Sequence, residues 1–307
     1  MTIDLIQLNL PHGVTLSCRS AGSKGRPVLV FLHGFPEAAF IWDELLLHFA
    51  KPQNGGYRCI APNLRGFEQS SAPTDVSAYR PKHLVQDIAE LIQSEGAPIE
   101  ALIAHDWGGA VAWNSAASHP ELIKKLVIIN SPHPGTFLRE LQQSPSQQAA
   151  SRYMNFLIRP DAEKLLAEDD FRRLFEFFMP FGEVKGQGVK GDGLRVVPDW
   201  LTADVKAQYR DVWQRGLTGP LNYYRASPLR PGPEIAKLVI PRELLVVNVP
   251  TLVLWGMDDI ALPPGLLDGL GDFVLQMQLE RIDGATHWII HEQSELVAQH
   301  VQAFLQS

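Results

Sequence analysis

The sequence predicts an α/β protein: a mostly parallel β-sheet flanked by helices, carrying a helical cap as an insertion. Three observations predict it. Short apolar runs alternate with helical patterns through the first 132 residues. The alternation stops after Pro132, and it resumes at Thr251. Continuous apolar strands separated by helices imply a sheet buried on both faces, because each parallel crossover lays a helix against it. The expected division is a core over 1–132 and 248–307, with a cap over 133–247.

The elements follow in order. Ile3–Leu10 and Val14–Ser20 flank a Pro11-His12-Gly13 turn and read as an antiparallel hairpin. Val28–Leu32 is a continuous apolar strand, Ile41–Ala50 a helix and Tyr57–Ala61 a strand. Leu84, Ile88, Leu91 and Ile92 recur at helical spacing, before strand-like runs at Ile99–Ala104 and Leu126–Ile129. From His133 to Val247 the pattern is mostly helical, interrupted by a Gly-rich stretch at 182–193. That stretch lacks the Lys-Ser/Thr ending of a phosphate loop and reads as a mobile connection. Strands at Thr251–Trp255 and Phe273–Ile282 and a helix at Gln293–Gln306 complete the chain.

Composition narrows the class. The chain has 307 residues, a formal net charge of -7 and no long basic run, which disfavours nucleic-acid partners. Cys18 and Cys59 both lie in strand-like contexts, so no disulfide framework is expected. No charged leader with an apolar core is evident and no apolar run is long enough for a membrane span. A cytoplasmic enzyme is the expectation.

Chemistry concentrates in Ala104-His105-Asp106-Trp107-Gly108-Gly109. A strand precedes it and a small-residue helix follows, so small residues crowd a sharp turn around Asp106. Such a turn lifts one side chain clear of the sheet. An acidic residue at a helix start is also an ordinary cap. A carboxylate presented this way, however, can displace a leaving group at saturated carbon and form an ester on the protein. Gly256-Met257-Asp258-Asp259 follows one later strand and Gly284-Ala285-Thr286-His287-Trp288 follows another. The chain order of nucleophile, acid and histidine, each just past a strand, is that of a hydrolytic triad on an open sheet.

These residues and four further segments resemble the α/β-hydrolase-fold epoxide hydrolases, soluble type, over nearly the whole chain. His33-Gly34-Phe35-Pro36-Glu37 is similar to the family's oxyanion loop, in which the Phe-Pro peptide is cis. Asp106, Asp259 and His287 match nucleophile, acid and base, with Asp259 rather than Asp258 fitting the Gly-x-x-Asp spacing. Tyr153 and Tyr224, the latter in Gly219-Pro220-Leu221-Asn222-Tyr223-Tyr224-Arg225, match the two lid tyrosines. Asn63-Leu64-Arg65-Gly66-Phe67-Glu68-Gln69-Ser70 departs from the Asp-x-Arg-Gly-x-Gly-x-Ser pattern at Asn63 and Glu68, and a local rearrangement is expected there.

The resemblance implies that Asp106 opens an epoxide while Tyr153 and Tyr224 protonate its oxygen. His287, oriented by Asp259, would then activate water against the ester, with the oxyanion held by the N–H groups of Phe35 and Trp107. Neither metal nor organic cofactor is implied. The expected pocket walls are Phe35, Trp107, Met154, Phe156, Leu157 and Trp288, suggesting an apolar epoxide. His105 is expected to support the turn, His133 to be structural or a hinge, and His291 and His300 to lie on the surface. A haloalkane dehalogenase shares the triad but commonly carries Asn or Glu at the position of Phe35, and it would leave the tyrosines idle. A non-catalytic ligand-binding protein on the same scaffold is the reading from another class. The sequence sets neither the particular epoxide nor the oligomeric state; a homodimer through the cap is compatible with it.

Overall fold

The computed structural model describes residues 1–179 and 195–307. The Gly-rich stretch at 182–193 therefore lies outside the described residues. Eight strands, β1 (Asp4–Asn9), β2 (Thr15–Ala21), β3 (Val28–Leu32), β4 (Arg58–Pro62), β5 (Ala101–His105), β6 (Leu126–Ile129), β7 (Thr251–Gly256) and β8 (Met277–Ile282), form one sheet. Its order is β1-β2-β4-β3-β5-β6-β7-β8. Only the β1–β2 and β2–β4 pairings are antiparallel.

The strands separate two cores because alternate side chains leave a strand on opposite faces. Leu29, Phe31, Ile103, Val127 and Leu252 enter one cluster, where α1 (Asp43–Ala50) contributes Leu46 and Phe49. Val30, Leu32, Leu102, Ile128 and Val253 enter the other. There α2 (Pro81–Glu95) brings Leu84, Ile88 and Leu91, and α3 (Asp106–Ser118) brings Val111 and Ala112. Removing one such side chain, Phe31 for instance, costs about 3–5 kcal/mol, because a close-packed core cannot fully collapse onto the gap.

Between β6 and β7 the described residues add no strand to the sheet. The helices there are α4 (Pro134–Gln143), α5 (Pro145–Ala150), α6 (Tyr153–Leu157), α7 (Ala162–Phe177), α8 (Ala203–Gln214) and α9 (Thr218–Ala226). Regular helix ends at Ala226, earlier than the pattern implied, since prolines at 228, 231, 233 and 241 break the run that follows. After β8 come α10 (Ile289–Glu292) and α11 (Ser294–Gln306). The strand anticipated from Phe273 starts only at Met277, because residues 270–272 form a tight 3-10 turn.

Helix α7 is not continuous. Glu168 is extended, and Asp169, Asp170 and Phe171 take φ of 52°, 55° and 61°. A left-handed turn of three non-glycine residues is costly, and it re-aims the second half of the helix. It is held by buried Phe171 against Trp213, with ring centroids 5.6 Å apart, and by Arg210 on Asp170 at 2.6 Å. Long-range hydrogen bonds tie the helical layer to the sheet. The Trp213 indole donates to Pro36 O at 2.7 Å, and the Tyr223 hydroxyl donates to Arg65 O at 2.9 Å.

Candidate active site

All the triad positions lie beyond the carboxyl ends of parallel strands. Asp106 follows β5 directly, with φ of 48°, a conformation that costs about 1–3 kcal/mol for a residue with a Cβ. Its surroundings enforce it. A Cβ on Gly108 would sit 2.5 Å from the carbonyl oxygens of Leu32 and His33, and one on Gly109 would sit 2.3 Å from Ser131 Cβ. The Ser131 hydroxyl donates to Asp106 O at 2.6 Å. The turn thus holds only with these small residues, as the sequence pattern anticipated.

The Asp106 carboxylate is divided between two environments. Oδ1 accepts from the Phe35 N–H at 2.7 Å, and the Trp107 N–H also bonds the carboxylate. Oδ2 lies 3.7 Å from His287 Nε2. Burial pushes the Asp106 carboxyl up, against the opposing pull of His287, His105 and the two N–H groups. The Phe35–Pro36 peptide is cis.

His287 Nδ1 donates to Asp259 Oδ2 at 2.6 Å. The other carboxylate oxygen accepts from the N–H groups of Ala261 and Leu262, both at 2.9 Å. Burial alone would raise Asp259; His287 and then the donors around it bring the carboxyl below its ordinary value. For His287 burial works downward, but the Asp259 carboxylate, helped by Asp106, lifts the imidazole to about 9. Asp258 makes no comparable side-chain contact among the described residues.

Tyr153 at the start of α6 and Tyr224 on α9 face Asp106, with their ring centroids 6.2 Å apart. Burial pushes both hydroxyls up; the Asp106 and Asp259 carboxylates add to it at Tyr153, where the hydrogen bond with Tyr224 opposes it, and Tyr153 and then Asp106 add to it at Tyr224, so both are protonated at neutral pH. The Trp107 side chain hydrogen-bonds Tyr224. A cavity of about 390 Å³ joins these groups, walled by Phe35, Phe156, Phe177 and Trp288.

Three anticipated walls, Met154, Leu157 and Trp107, are elsewhere. Met154 and Leu157 are 3% and 0% exposed within the core. Of the α6 residues, Tyr153 and Phe156 line the cavity, while Met154 and Leu157 pack into the core. Trp107 lines a separate small crevice with Tyr79 and Tyr223.

Several participants escaped the sequence reading. Asn130, at φ of 40° just past β6, donates to Asp259 Oδ2 at 2.8 Å and accepts from Gly256 N at 2.9 Å. An Asn at a strand end was the available signal. Buried Glu37 binds His105 Nδ1 at 2.8 Å and His291 Nε2 at 3.0 Å, while His105 Nε2 bonds His287 O at 2.9 Å. His291 is therefore not a surface residue: Glu37 and the Tyr209 hydroxyl draw it inward. His300 is half-buried on α11. His133 is structural, its Nδ1 capping α4 through Gly135 N at 3.1 Å and its Nε2 bonding Leu245 O at 2.9 Å.

The strand order and the acid, base and positive-φ carboxylate gathered on one edge define an α/β-hydrolase. The alpha/beta hydrolase fold family model matches residues 27–294. Epoxide hydrolase 1 of Caenorhabditis elegans is 31% identical over 295 residues, 95% of this chain and 68% of that protein. Epoxide hydrolase 4 of Mus musculus is 32% identical over 289 residues, 93% of this chain and 75% of that protein. The crystal structure of Bacillus megaterium epoxide hydrolase with an inhibitor superposes with a TM-score of 0.85 at 31% identity, covering 98% of this chain and 100% of that one. The chain belongs to the epoxide hydrolase family of the α/β-hydrolase fold. Among the described residues no helix is long and apolar enough to cross a membrane.

Proposed function

We propose that this protein hydrolyses an apolar epoxide to a vicinal diol through a covalent ester on Asp106. The observation that carries the reading is the split environment of that carboxylate. Oδ1 is held by the Phe35 N–H, while Oδ2 lies 3.7 Å from His287 Nε2 and is the oxygen that attacks. Attack on an epoxide carbon breaks the C–O bond, and Tyr153 or Tyr224 gives its proton to the departing oxygen. Oδ1 then becomes the ester carbonyl oxygen and already accepts from the Phe35 N–H, with the Trp107 N–H also at the carboxylate. When His287 takes a proton from water and the hydroxide adds to the ester carbon, negative charge develops where those N–H groups point. Collapse breaks the bond from the ester carbon to Oδ2 and, as the adduct's hydroxyl proton passes to the departing alkoxide, releases the diol and restores the carboxylate; the proton held by His287 then returns to the phenolate. Alkylation of Asp106 removes one of the carboxylates that raise His287, which favours the neutral imidazole this step needs.

The helical layer over 133–247 serves as the lid that brings the tyrosines over the nucleophile. A small-molecule epoxide is the partner in this reading, and a homodimer through the lid is compatible with it. Aromatic walls supply the apolar contact.

His287→Gln tests the scheme. Mixed with aryl and alkyl epoxides and bromoalkanes of distinct masses, the variant should gain one epoxide mass, located on the peptide containing Asp106. A bromoalkane-derived alkyl group in its place would make the protein a dehalogenase. Label from heavy-oxygen water appearing directly in the diol during a single turnover of the unmodified enzyme would rule out the ester.

A further inference from the structure

Beside its aromatic walls the cavity carries a charge that the reaction above does not use. Past its left-handed turn, α7 presents Arg173, Glu176 and Phe177 to the cavity, at positions i, i+3 and i+4 of one helix face. The Glu176 carboxylate is already bound by Arg172 Nη1 at 2.7 Å. Arg195 on the same wall is also engaged, its Nη1 donating to Glu176 O and Met179 O at 2.8 Å each. Arg173 differs. It makes no ion pair or hydrogen bond among the described residues, and its Nε is shielded from solvent without an acceptor. The two most buried arginines show what such a group ordinarily receives: Arg58 pairs with Glu95 at 3.1 Å and Arg65 with Asp87 at 2.6 Å. A guanidinium N–H without an acceptor is costly, and the fork of guanidinium donors is what grips a carboxylate in two parallel bonds.

We propose that Arg173 is a specificity-determining residue that binds a carboxylate carried by the substrate, so that the site favours epoxides bearing a carboxylate over neutral epoxides of similar size. The inference rests on the epoxide reading above and refines it: the body of the substrate is apolar and one end is anionic. Charge also sets the direction of binding. Asp106 and Asp258 face the same cavity and repel an anion, whereas the Glu176 carboxylate beside Arg173 is already paired with Arg172. The carboxylate therefore lies against α7 with the epoxide turned towards Asp106 and the two tyrosines.

The test uses terminal epoxides whose chain ends in a carboxylate, in a series of lengths, each paired with the matching primary alcohol. At the best length the unmodified enzyme should show a kcat/KM about tenfold higher for the acid than for the alcohol, as a charge-assisted pair provides. Arg173→Gln should bring that ratio to about one, and Arg173→Lys should keep part of it. A second measurement covers a variant that does not fold. Saturated carboxylates should inhibit turnover of a neutral aryl epoxide by the unmodified enzyme competitively, and more strongly than the matching alcohols. Equal kcat/KM for acid and alcohol at every length, or a preference that survives in Arg173→Gln, overturns the role of Arg173 while leaving the epoxide reading intact. Failure to turn over any epoxide, the neutral aryl one included, removes both.

Discussion

At Glu68 the chain places a charged residue where the family pattern has glycine, and it keeps the glycine conformation, with φ of 51°. The Glu68 side chain is tied into the loop. Glu68 Oε2 accepts from Ser17 Oγ at 2.7 Å, Gln69 N at 2.7 Å and Asn63 Nδ2 at 3.2 Å. Asn63 is the other departure from the pattern, so the two are one change. An aspartate at 63 would set two carboxylates against each other in a pocket where residue 63 is 5% exposed. Asn63→Asp should therefore cost about 2–3 kcal/mol in denaturant unfolding, in proportion to an unpaired buried charge. Adding Glu68→Gly should recover at least about 1 kcal/mol of that loss. Additive effects in the double-mutant cycle would mean that the two positions do not communicate. Either departure was visible in the sequence, but their coupling was not. It depends on a hydrogen bond across the loop, and spacing along a chain does not report which side chain turns inward.

At the scale of elements, the site is assembled by two helices of the layer between β6 and β7 meeting one turn of the sheet. Tyr153 opens α6 and Tyr224 sits on α9, 71 positions later in the chain, yet the rings approach to 6.2 Å. If both phenols act on the epoxide oxygen, either alone still donates a proton. Tyr153→Phe and Tyr224→Phe should each lower the rate of ester formation on the order of 10-fold, and the double variant on the order of 10³-fold, measured by rapid-quench mass spectrometry. A double variant no slower than the singles would show that only one tyrosine is the acid. The motifs that carry these residues were legible because each sits in a local pattern: a strand, then a small-residue turn, or a run past a strand end. Other contributions leave no local pattern. The left-handed turn of α7 falls on Asp169-Asp170-Phe171, residues with no glycine to announce it, and only tertiary contacts with Trp213 and Arg210 hold it. The walls were misjudged for a related reason. Five residues of α6 are too few for periodicity to say which face meets the cavity, and Met154 and Leu157 turned out to be core.

For the whole molecule, three buried histidines set how stability depends on pH, and they pull in opposite directions. His33 and His133 are lowered by burial to about 4, with hydrogen bonds at Gly34 and Leu245 opposing only weakly. Between their folded value and an unfolded value of about 6.5, the unfolded chain binds more protons. Stability is therefore lost as the pH falls from about 6.5 towards 4. Protonation would also destroy the acceptor with which His133 Nδ1 caps α4. Glu37 and Asp259, carboxyls held below their ordinary value, steepen the loss further once the pH passes below about 4. His287 has the opposite sign. Its folded value is raised to about 9, so its contribution is fully present below an unfolded value of about 6.5 and is lost as the pH rises through the folded one. The melting temperature should therefore peak near about pH 6.5 and fall on both sides, by roughly 5 °C on the alkaline side up to pH 9. His287→Gln should flatten the alkaline limb and leave the acid limb standing, whereas His133→Asn, which keeps a capping oxygen, should soften the acid limb alone. Thermal melts of the three proteins across this range decide the matter. An alkaline limb that survives in His287→Gln would place its origin outside the Asp106–His287–Asp259 chain, and the raised imidazole would then be a feature of catalysis without a counterpart in folding.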